Sequence, residues 1–285
     1  MINISTTVRR ANAQDHYQLA NLLFHESHTH RHLDWRSALD WLGTQNFWVL
    51  EEHGFIIAAF ACPEDPPNIA WIRLFTHHPH LDVADTWSAL WSVAQPEISL
   101  NNPKTQISTI ILKPWFQNIL LQSGFEQKQN IVLLKLQVNH IKTRITPNTK
   151  IRRMTEADLH NIADIDAQAF GDFWKNTFDS LRLAYLQSFH ATVAEDESGK
   201  VVAYQISTGS RFGAHLARLG VHPEAQNRGI ASALVNELIQ TLSMKHHGTL
   251  SVNTQDDNLA SMSLYKKIGF IQTGEQLPVL VKHVS

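Results

Sequence analysis

An internal repeat is the feature of this sequence that most constrains its fold. The 285-residue chain matches itself at a spacing of about 144 residues, so each half has the length of an ordinary domain. The matching segments are Val8–Arg10 with Ile151–Arg153, Phe47–Ala61 with His190–Ser207, His78–Pro79 with His222–Pro223, and Ile131–Leu136 with Val279–Val284. The chain is therefore predicted to fold as two similar units.

Each half has the pattern of a strand, helices, three strands, a helix, a strand, a helix and a strand. This order predicts an α/β fold built on a mixed (α+β) sheet. We place the two domains at residues 1–140 and 148–285. The segment between them, roughly 138–150, is polar, contains Pro147 and is interpreted as a linker.

The loop Gln226–Ala231 lies between a strand-like segment and a helix-like one. Residues 215–222 are predicted as the strand, and apolar spacing from Ile230 to Leu242 predicts the helix. A strand that turns through small residues into a helix leaves backbone N–H groups uncovered, and the helix dipole adds positive potential. Such a loop is suited to bind a phosphate or a pyrophosphate.

The residue types at three positions of this loop suit an anion site. Side chains larger than those of Gly229 and Ala231 would hold the anion away from the amides, and Arg228 adds a positive charge. An ordinary strand-to-helix turn is the alternative interpretation.

A second strand–helix segment follows. Residues 250–253 alternate apolar and polar as a half-buried strand does, Asp256 or Asp257 is predicted to cap the next helix, and Gly269 is predicted to end it. Three residues at i, i+3 and i+7 share one face of that helix: Asn258, Ser261 and Tyr265. One helix can therefore present a carboxamide and a phenol to the same groove.

The two motifs together resemble the GNAT acyltransferase superfamily. The loop fits the pattern Gln/Arg-x-x-Gly-x-Gly/Ala, the helix fits Asn-x-x-small-x-x-x-Tyr, and the element order of the family occurs twice along almost the whole chain. The resemblance implies two tandem GNAT-like domains, with acetyl-CoA as the co-substrate of the second. The residues that it assigns to cofactor binding are Leu219, Gly220, Val221, Gln226, Asn227, Arg228, Gly229, Ile230, Ala231, Ser232, Asn258 and Tyr265.

The reaction implied by the resemblance is direct attack of an amine on the acetyl thioester, with both reactants bound side by side. A backbone N–H near Gly220 or Val221 is expected to stabilise the oxyanion, and Tyr265 is expected to protonate the CoA thiolate. Histidine suits the base, so His215, eleven residues before the loop glutamine, is the candidate, with His222 as the alternative. A structural role for either histidine, and a water chain in place of a base, also stay open.

The first half lacks these features. At the repeat spacing its loop carries Asp82, Asp85 and Trp87, two carboxylates and an indole where an anion would bind. Leu120 and Leu121 lie near the place of the tyrosine and have no proton to donate. The first half is therefore interpreted as structural or substrate-shaping, and its seven tryptophans are predicted to fill the core, some of them the vacant groove.

Bulk properties exclude several classes of protein. The net charge of −2 gives no sign of nucleic-acid binding, and the longest apolar run, Phe55–Cys62, is too short to span a bilayer. The first ten residues lack the apolar core of a signal peptide, and the single cysteine fits a reducing cytosol. We therefore expect a cytoplasmic protein. The resemblance implies that it is an enzyme that acts on a small-molecule or peptide amine, as a monomer or a homodimer.

Two further segments are open to interpretation. Residues 25–32 contain four histidines. His28 and His32 could share a helix face, or His28, His30 and His32 a strand face, and either pattern could bind zinc. No cysteine or second histidine pair completes a site, so no metal is predicted. Residues 169–175 match the acceptor-side loop of the family, and Asp172 there could attract an amine.

Two other functions are consistent with the same motifs. A non-catalytic acyl-CoA sensor of this fold would bind the cofactor without turnover. Transfer of a longer acyl chain, or transfer to an oxygen acceptor, is the second alternative. The sequence does not identify the acceptor.

Overall fold

The structure, a computed structural model, contains two compact units. It describes residues 6–25, 28–138, 150–210, 213–244 and 248–284. The first unit is Met1–Lys128 with Leu277–Ser285, and the second is Gln129–Gln276. Most of the predicted linker, 139–149, lies outside the described residues.

Strands and helices occur in nearly the predicted order. No helix in the described ranges is long and apolar enough to cross a membrane. The first half contains β1 (Thr6–Arg10), α1 (His16–His25), β2 (Thr29–Arg31), β3 (Phe47–Glu52), β4 (Phe55–Ala61), β5 (Ile69–Trp71), β6 (Leu74–His77), α2 (Val83–Asn101), β7 (Gln106–Ile110), α3 (Pro114–Gln122) and β8 (Glu126–Gln137). The second half contains β9 (Lys150–Arg153), α4 (Leu159–Trp174), α5 (Phe178–Leu186), β10 (His190–Glu195), β11 (Val201–Ser210), β12 (Gly213–Val221), α6 (Ile230–Met244), β13 (Thr249–Gln255), α7 (Leu259–Ile268) and β14 (Ile271–His283).

The first unit has an antiparallel sheet in the order β1-β3-β4-β6-β2. The element predicted as one strand is split into β5 and β6, because Ile72 N–H bonds to Ser108 O and Arg73 N–H bonds to Ala61 O, each at 2.8 Å. The chain thus changes partner strands between these two residues, and β5 runs parallel to β7. β2 is a further strand that was not predicted.

The second unit has the sheet order β8-β13-β12-β11-β10-β9. Among the pairings between the described residues of these strands, only that of β12 with β13 is parallel. The predicted order of elements in the second half is confirmed. Apolar residues of α6, such as Leu238 and Leu242, pack with Tyr265 of α7 on residues of β8, β12 and β13. This layer supports the strand end and helix start on which the site is built.

The last strands of the two halves are exchanged between the units. β8, which ends the first half, pairs with β13 of the second unit through residues 131–137. The end of β14 pairs with β7 of the first unit through residues 279–283, and Leu280 and Val284 lie in the core of that unit. The limits 1–140 and 148–285 therefore describe the repeat in the sequence, whereas each compact unit takes its final strand from the other half.

Equivalent ion pairs fix the first strand in each unit. Arg9 donates to both oxygens of Asp15 at 2.8 and 2.9 Å, and Arg152 donates to both oxygens of Asp158 at 2.8 Å. The hydrogen bonds from Arg152 lower the pKa of Asp158 to about 2. The repeated Arg-x5-Asp pattern of the sequence is thus one structural motif that occurs twice.

Candidate active site

The loop between β12 and α6 has the geometry of an anion site. Asn227 and Gly229 have left-handed backbone angles, with φ of 61° and 80°. Gly229 O accepts the first α-helical bond, from Ala233 N–H at 3.0 Å. The N–H groups of the three residues between Gly229 and Ala233 therefore have no partner within the helix. They belong to Ile230, Ala231 and Ser232.

Solvent reaches these amides. Residues 226–229 are exposed, and residues 230–232 are partly exposed. The side chain of Gln226 turns back to donate to Val221 O at 3.2 Å, which leaves the helix start uncovered on that side. The exposed Arg228 adds its charge to the positive end of a 15-residue helix. The predicted strand, loop and helix are thus present, and anion binding by the loop stays a prediction.

β12 separates from β13 beside this loop. Their parallel pairing covers only residues 214–216 and 250–252, although β12 continues to Val221. A β-bulge at Ala217 bends β12 at the point of separation. Beyond the bulge β12 pairs with β11, and its other edge lines an opening.

The backbone of β12 presents two amides to this opening. His222 N–H donates to Val202 O at 2.8 Å, so the alternation of an antiparallel pair directs the N–H of Gly220 toward β11 as well. The N–H groups of Leu219 and Val221 point to the opposite edge. Of the two residues predicted near the oxyanion, Val221 therefore presents its amide to the opening and Gly220 does not.

Gly220 has a packing role instead. A Cβ at this position would lie 2.6 Å from the ring of Tyr204. The Tyr204 hydroxyl donates to Asp166, which also accepts two hydrogen bonds from Arg218 at 2.7 and 2.9 Å. Asp166 is fully buried, and the side chain of Arg218 is 14% exposed. Burial opposes the charge of Arg218, but the adjacent Asp166 raises the pKa of the guanidinium overall.

This buried network fixes the segment 169–175, which was predicted to face the acceptor. Arg218 also donates to Trp174 O at 2.7 Å, and Asp166 accepts from Asn176 N–H at 2.7 Å. The backbone that follows α4 is thereby held against β12. A change at Asp166 would therefore reach both the segment and the strand that presents Val221.

Within that segment, α4 kinks at Gly171, where φ is 65°. Asp172, predicted to attract an amine, is paired with Lys175 at 2.7 Å, and its side chain is 93% exposed. Phe173 and Trp174 contact each other edge to face at 5.0 Å between centroids. The carboxylate of this segment thus already has a cationic partner.

Sequence reasoning did not identify the network of Asp166. Its partners Tyr204 and Arg218 lie 38 and 52 residues away along the chain. One signal was present, because Asp166 follows Ile162 and Ile165 on the buried face of α4. A carboxylate on an apolar helix face indicates a buried partner.

α7 carries both residues predicted for it, with one correction at its start. Asn258 itself is the N-cap, and its Oδ1 accepts from Ser261 N–H at 3.1 Å, so the predicted cap at Asp256 or Asp257 is wrong. Tyr265 is 4% exposed, yet its hydroxyl makes no hydrogen bond to another described residue. Burial raises the pKa of this phenol, which keeps it protonated at neutral pH.

His215 lies where β12 and β13 still pair. Its Nδ1 is 2.9 Å from Ser251 Oγ, and that hydroxyl is 3.3 Å from Ala214 O. When Ser251 donates to Ala214 O, Nδ1 carries the histidine proton and Nε2 has a lone pair to accept one. Burial lowers the pKa of His215, so the ring is neutral at pH 7. His222, the alternative base, caps a short turn by accepting from Glu224 N–H at 3.3 Å.

The corresponding loop of the first unit is closed. Asp82 caps α2, and its Oδ1 accepts from the N–H groups of Ala84 and Asp85, both at 2.9 Å. Trp87 is 2% exposed and packs on Phe75 with centroids 5.3 Å apart. A side chain of the protein thus occupies the amides, and an indole fills the adjacent space.

Two other residue types considered in the sequence have packing roles. His30 is buried with Nε2 3.2 Å from Ile72 O, and burial lowers its pKa to about 4. Cys62 is buried, which raises the pKa of its thiol. Within the ranges that the structure describes, no three histidine, cysteine, aspartate or glutamate side chains converge on a metal position.

The sequence is similar to known proteins over part of its length. The profile of the acetyltransferase (GNAT) family matches residues 159–270. N-alpha-acetyltransferase RimI of Mycobacterium tuberculosis is 28% identical over 138 residues, which are 46% of this chain and 84% of that protein.

Comparison of the fold matches the whole chain. A GCN5-related N-acetyltransferase from Sphaerobacter thermophilus has a TM-score of 0.66 at 14% identity, over 100% of this chain and 97% of that one. A tandem GNAT protein from the clavulanic acid biosynthesis pathway has a TM-score of 0.62 at 12% identity, over 98% of each chain. At these identities the likeness concerns the fold, and it includes both halves.

Proposed function

This chain belongs to the GNAT superfamily and has the fold of two tandem GNAT-like domains, and from this premise we propose that it is an acetyl-CoA-dependent N-acetyltransferase. Family membership supports acyl transfer in general. The proposal adds an acetyl donor, an amine acceptor and catalysis by residues 148–285. The observation that carries it is the uncovered start of α6 beside the separated end of β12.

In this proposal acetyl-CoA lies in the opening between β12 and β13. The backbone of residues 226–232 donates to the pyrophosphate oxygens, and Arg228 adds charge compensation. The pantetheine arm runs along the edge of β12, where Leu219 and Val221 offer backbone groups as a neighbouring strand would use them. Asn258 contacts the arm through its amide NH₂, because its oxygen is used in the helix cap.

The reaction forms one bond and breaks another. The amine nitrogen attacks the carbonyl carbon of the thioester, whose oxygen becomes negative, and collapse of this intermediate breaks the C–S bond. The N–H of Val221 donates to the developing oxyanion. Binding both reactants in one site supplies much of the rate through proximity.

Tyr265 meets the departing sulfur as a hydrogen-bond donor. A thiol has a pKa of about 8.5, whereas burial raises the pKa of this phenol above its usual value. Complete transfer of the phenol proton to the thiolate is therefore uphill. The O–H group stabilises the thiolate by a hydrogen bond, and the thiolate takes a proton from water as CoA leaves.

The proton of the attacking amine goes to His215 Nε2, directly or through one water molecule. Ser251 holds Nδ1 and so orients the ring. Burial keeps the ring neutral, which is the form that a base requires.

Thiol release from acetyl-CoA, measured with small amines and with peptides that have a free N-terminus, tests the proposal. Tyr265→Phe should lower kcat about 100-fold without changing the affinity for CoA. Tyr185→Phe, at a half-buried tyrosine of the same unit, is the control and should leave kcat unchanged.

Other results would support the alternatives. Tight acetyl-CoA binding without turnover of any amine would identify a non-catalytic sensor. Thiol release that requires a longer acyl chain or an alcohol acceptor would assign a different substrate specificity to the same proposed site.

A further inference from the structure

The first unit contains a cavity away from its closed helix start. Its volume is about 250 Å³, and its wall is formed by seven residues between Arg31 and Trp41, together with Arg73. Arg31 ends β2, the other residues up to Trp41 follow it, and Arg73 lies between β5 and β6. The wall belongs entirely to the first unit, so a ligand there is independent of the acetyl-transfer site.

Trp41 organises the cavity. Its side chain is 4% exposed, and the guanidinium groups of Arg36 and Arg73 lie 4.6 and 4.9 Å from its ring centroid. The indole N–H donates to Asp34 at 3.3 Å. The ring thus holds two cations in fixed positions at one wall.

Arg73 is a buried cation. It is 7% exposed, donates to Asp34 at 2.8 Å and to Asp65 O at 3.0 Å, and its Nε is buried without a hydrogen-bond partner in the described part of the chain. Burial lowers the pKa of Arg73, and the nearby Arg36 acts in the same direction against the two aspartates. A negative group in the cavity would therefore stabilise the charged arginine.

The charges of the wall favour an anion. Three arginines, Arg31, Arg36 and Arg73, line the cavity with one carboxylate, Asp34. Burial keeps His32, which also lines it, neutral by lowering its pKa. The planar fork of a guanidinium matches the oxygens of a carboxylate or a phosphate.

We propose that this cavity binds a small molecule that bears a carboxylate or phosphate group, held by Arg31 and Arg36 beside Trp41. The volume limits the size of the ligand, because pockets for drug-sized molecules occupy about 300–1,000 Å³. On this proposal the first unit is a ligand-binding domain in addition to a scaffold.

Calorimetry on the full chain with inorganic phosphate, acetate and succinate, at constant ionic strength, tests the site and separates the two anion classes. At least one probe should bind and should shift the Trp41 indole N–H resonance, which Trp41→Phe identifies. Arg36→Gln and Arg31→Gln should each weaken binding about tenfold or more, equivalent to about 1.4 kcal/mol. Arg10→Gln should not, although Arg10 also lies on a tryptophan ring, 5.5 Å from Trp48.

Two results would overturn the proposal. One is the absence of heat and of any resonance shift with all three probes up to about 10 mM. The other is binding that Arg228→Gln abolishes and Arg36→Gln leaves intact, because the anion would then sit at the start of α6. Urea unfolding of each variant shows that the comparison is made on folded protein.

Discussion

The two units differ most at the start of one helix, which is α2 in the first unit and α6 in the second. In the first unit Asp82 bonds to the first amides of α2, whereas Gly229 leaves the first amides of α6 without a side chain. α2 begins at Val83, which at the repeat spacing corresponds to Asn227 of the second unit. Residues 227–229 thus form an open loop in the second unit, whereas the corresponding residues 83–85 form the first turn of α2. A helix start can therefore be closed by extending it one turn and capping it with aspartate.

The units also share a buried feature. Arg73 bonds to Asp34 at 2.8 Å where the first unit changes partner strands, and Arg218 bonds to Asp166 at 2.7 Å beside the bulge of the second. Both arginines lie where a central strand leaves its parallel neighbour. The ion pair therefore accompanies the bent strand in both units, whereas the open amides occur at the start of α6 and not at the start of α2.

The largest effect is expected from breaking the shared ion pair. Asp166→Asn leaves Arg218 buried opposite a neutral group and should destabilise the protein by about 3–5 kcal/mol. Urea unfolding measures this change. Asp172→Asn, at an exposed aspartate of the same segment, should cost less than about 0.5 kcal/mol. Equal small losses in both variants would contradict a structural role for the pair.

Placing an aspartate in the open loop should make the second unit resemble the first. Gly229→Asp brings a carboxylate to the amides of α6 and should weaken CoA binding about 100-fold, or about 2.7 kcal/mol. Calorimetry measures the affinity. Gly199→Asp controls for backbone strain, since Gly199 has a similar φ of 84° in an exposed turn of the same unit. Unchanged affinity in Gly229→Asp would show that CoA does not use this loop.

The pH dependence of kcat/KM tests the base. Because burial lowers the pKa of His215, its protonation should reduce the rate only below pH 6.5, the ordinary histidine value. His215→Gln should remove this acidic limb and lower kcat/KM about 10- to 100-fold. An acidic limb that survives in His215→Gln would assign the proton transfer to another group.

The smallest effect is expected at the closed helix start. Asp82→Ala should cost about 1 kcal/mol of stability through loss of the cap, whereas Asp82→Asn should cost little. Neither variant should gain CoA affinity, because Trp87 still fills the adjacent space. Appearance of a second CoA site in an isothermal titration of Asp82→Ala, beside the one proposed at α6, would show that the cap alone keeps the first unit closed.

The local parts of the site could be predicted from the sequence because they depend on neighbouring residues. Gly229, Ala231 and the apolar spacing of α6 are sufficient to indicate a strand, an open turn and a helix. The cap of α7 could be assigned only to within two residues, since aspartate and asparagine are similar caps. Asp256 instead accepts hydrogen bonds from Asn130, a contact that no local pattern indicates.

The non-local parts could not be predicted. Residues 131–136 and 279–284 have matching apolar patterns, so the sequence does not say which unit each strand completes. The same limit applies to Asp166, Tyr204 and Arg218, which come from three separate elements. Pairing over such distances is decided by packing and burial in the folded chain.

The exchanged strands also determine when each unit can fold during synthesis. All residues of the second unit, 129–276, leave the ribosome before residues 277–285, which the first unit needs beside β7. N-terminal domains ordinarily fold first as a chain emerges. In this protein the unit that begins first is completed last. Until residues 277–285 emerge, the apolar edge that Leu280 covers is exposed, and an exposed strand edge favours aggregation.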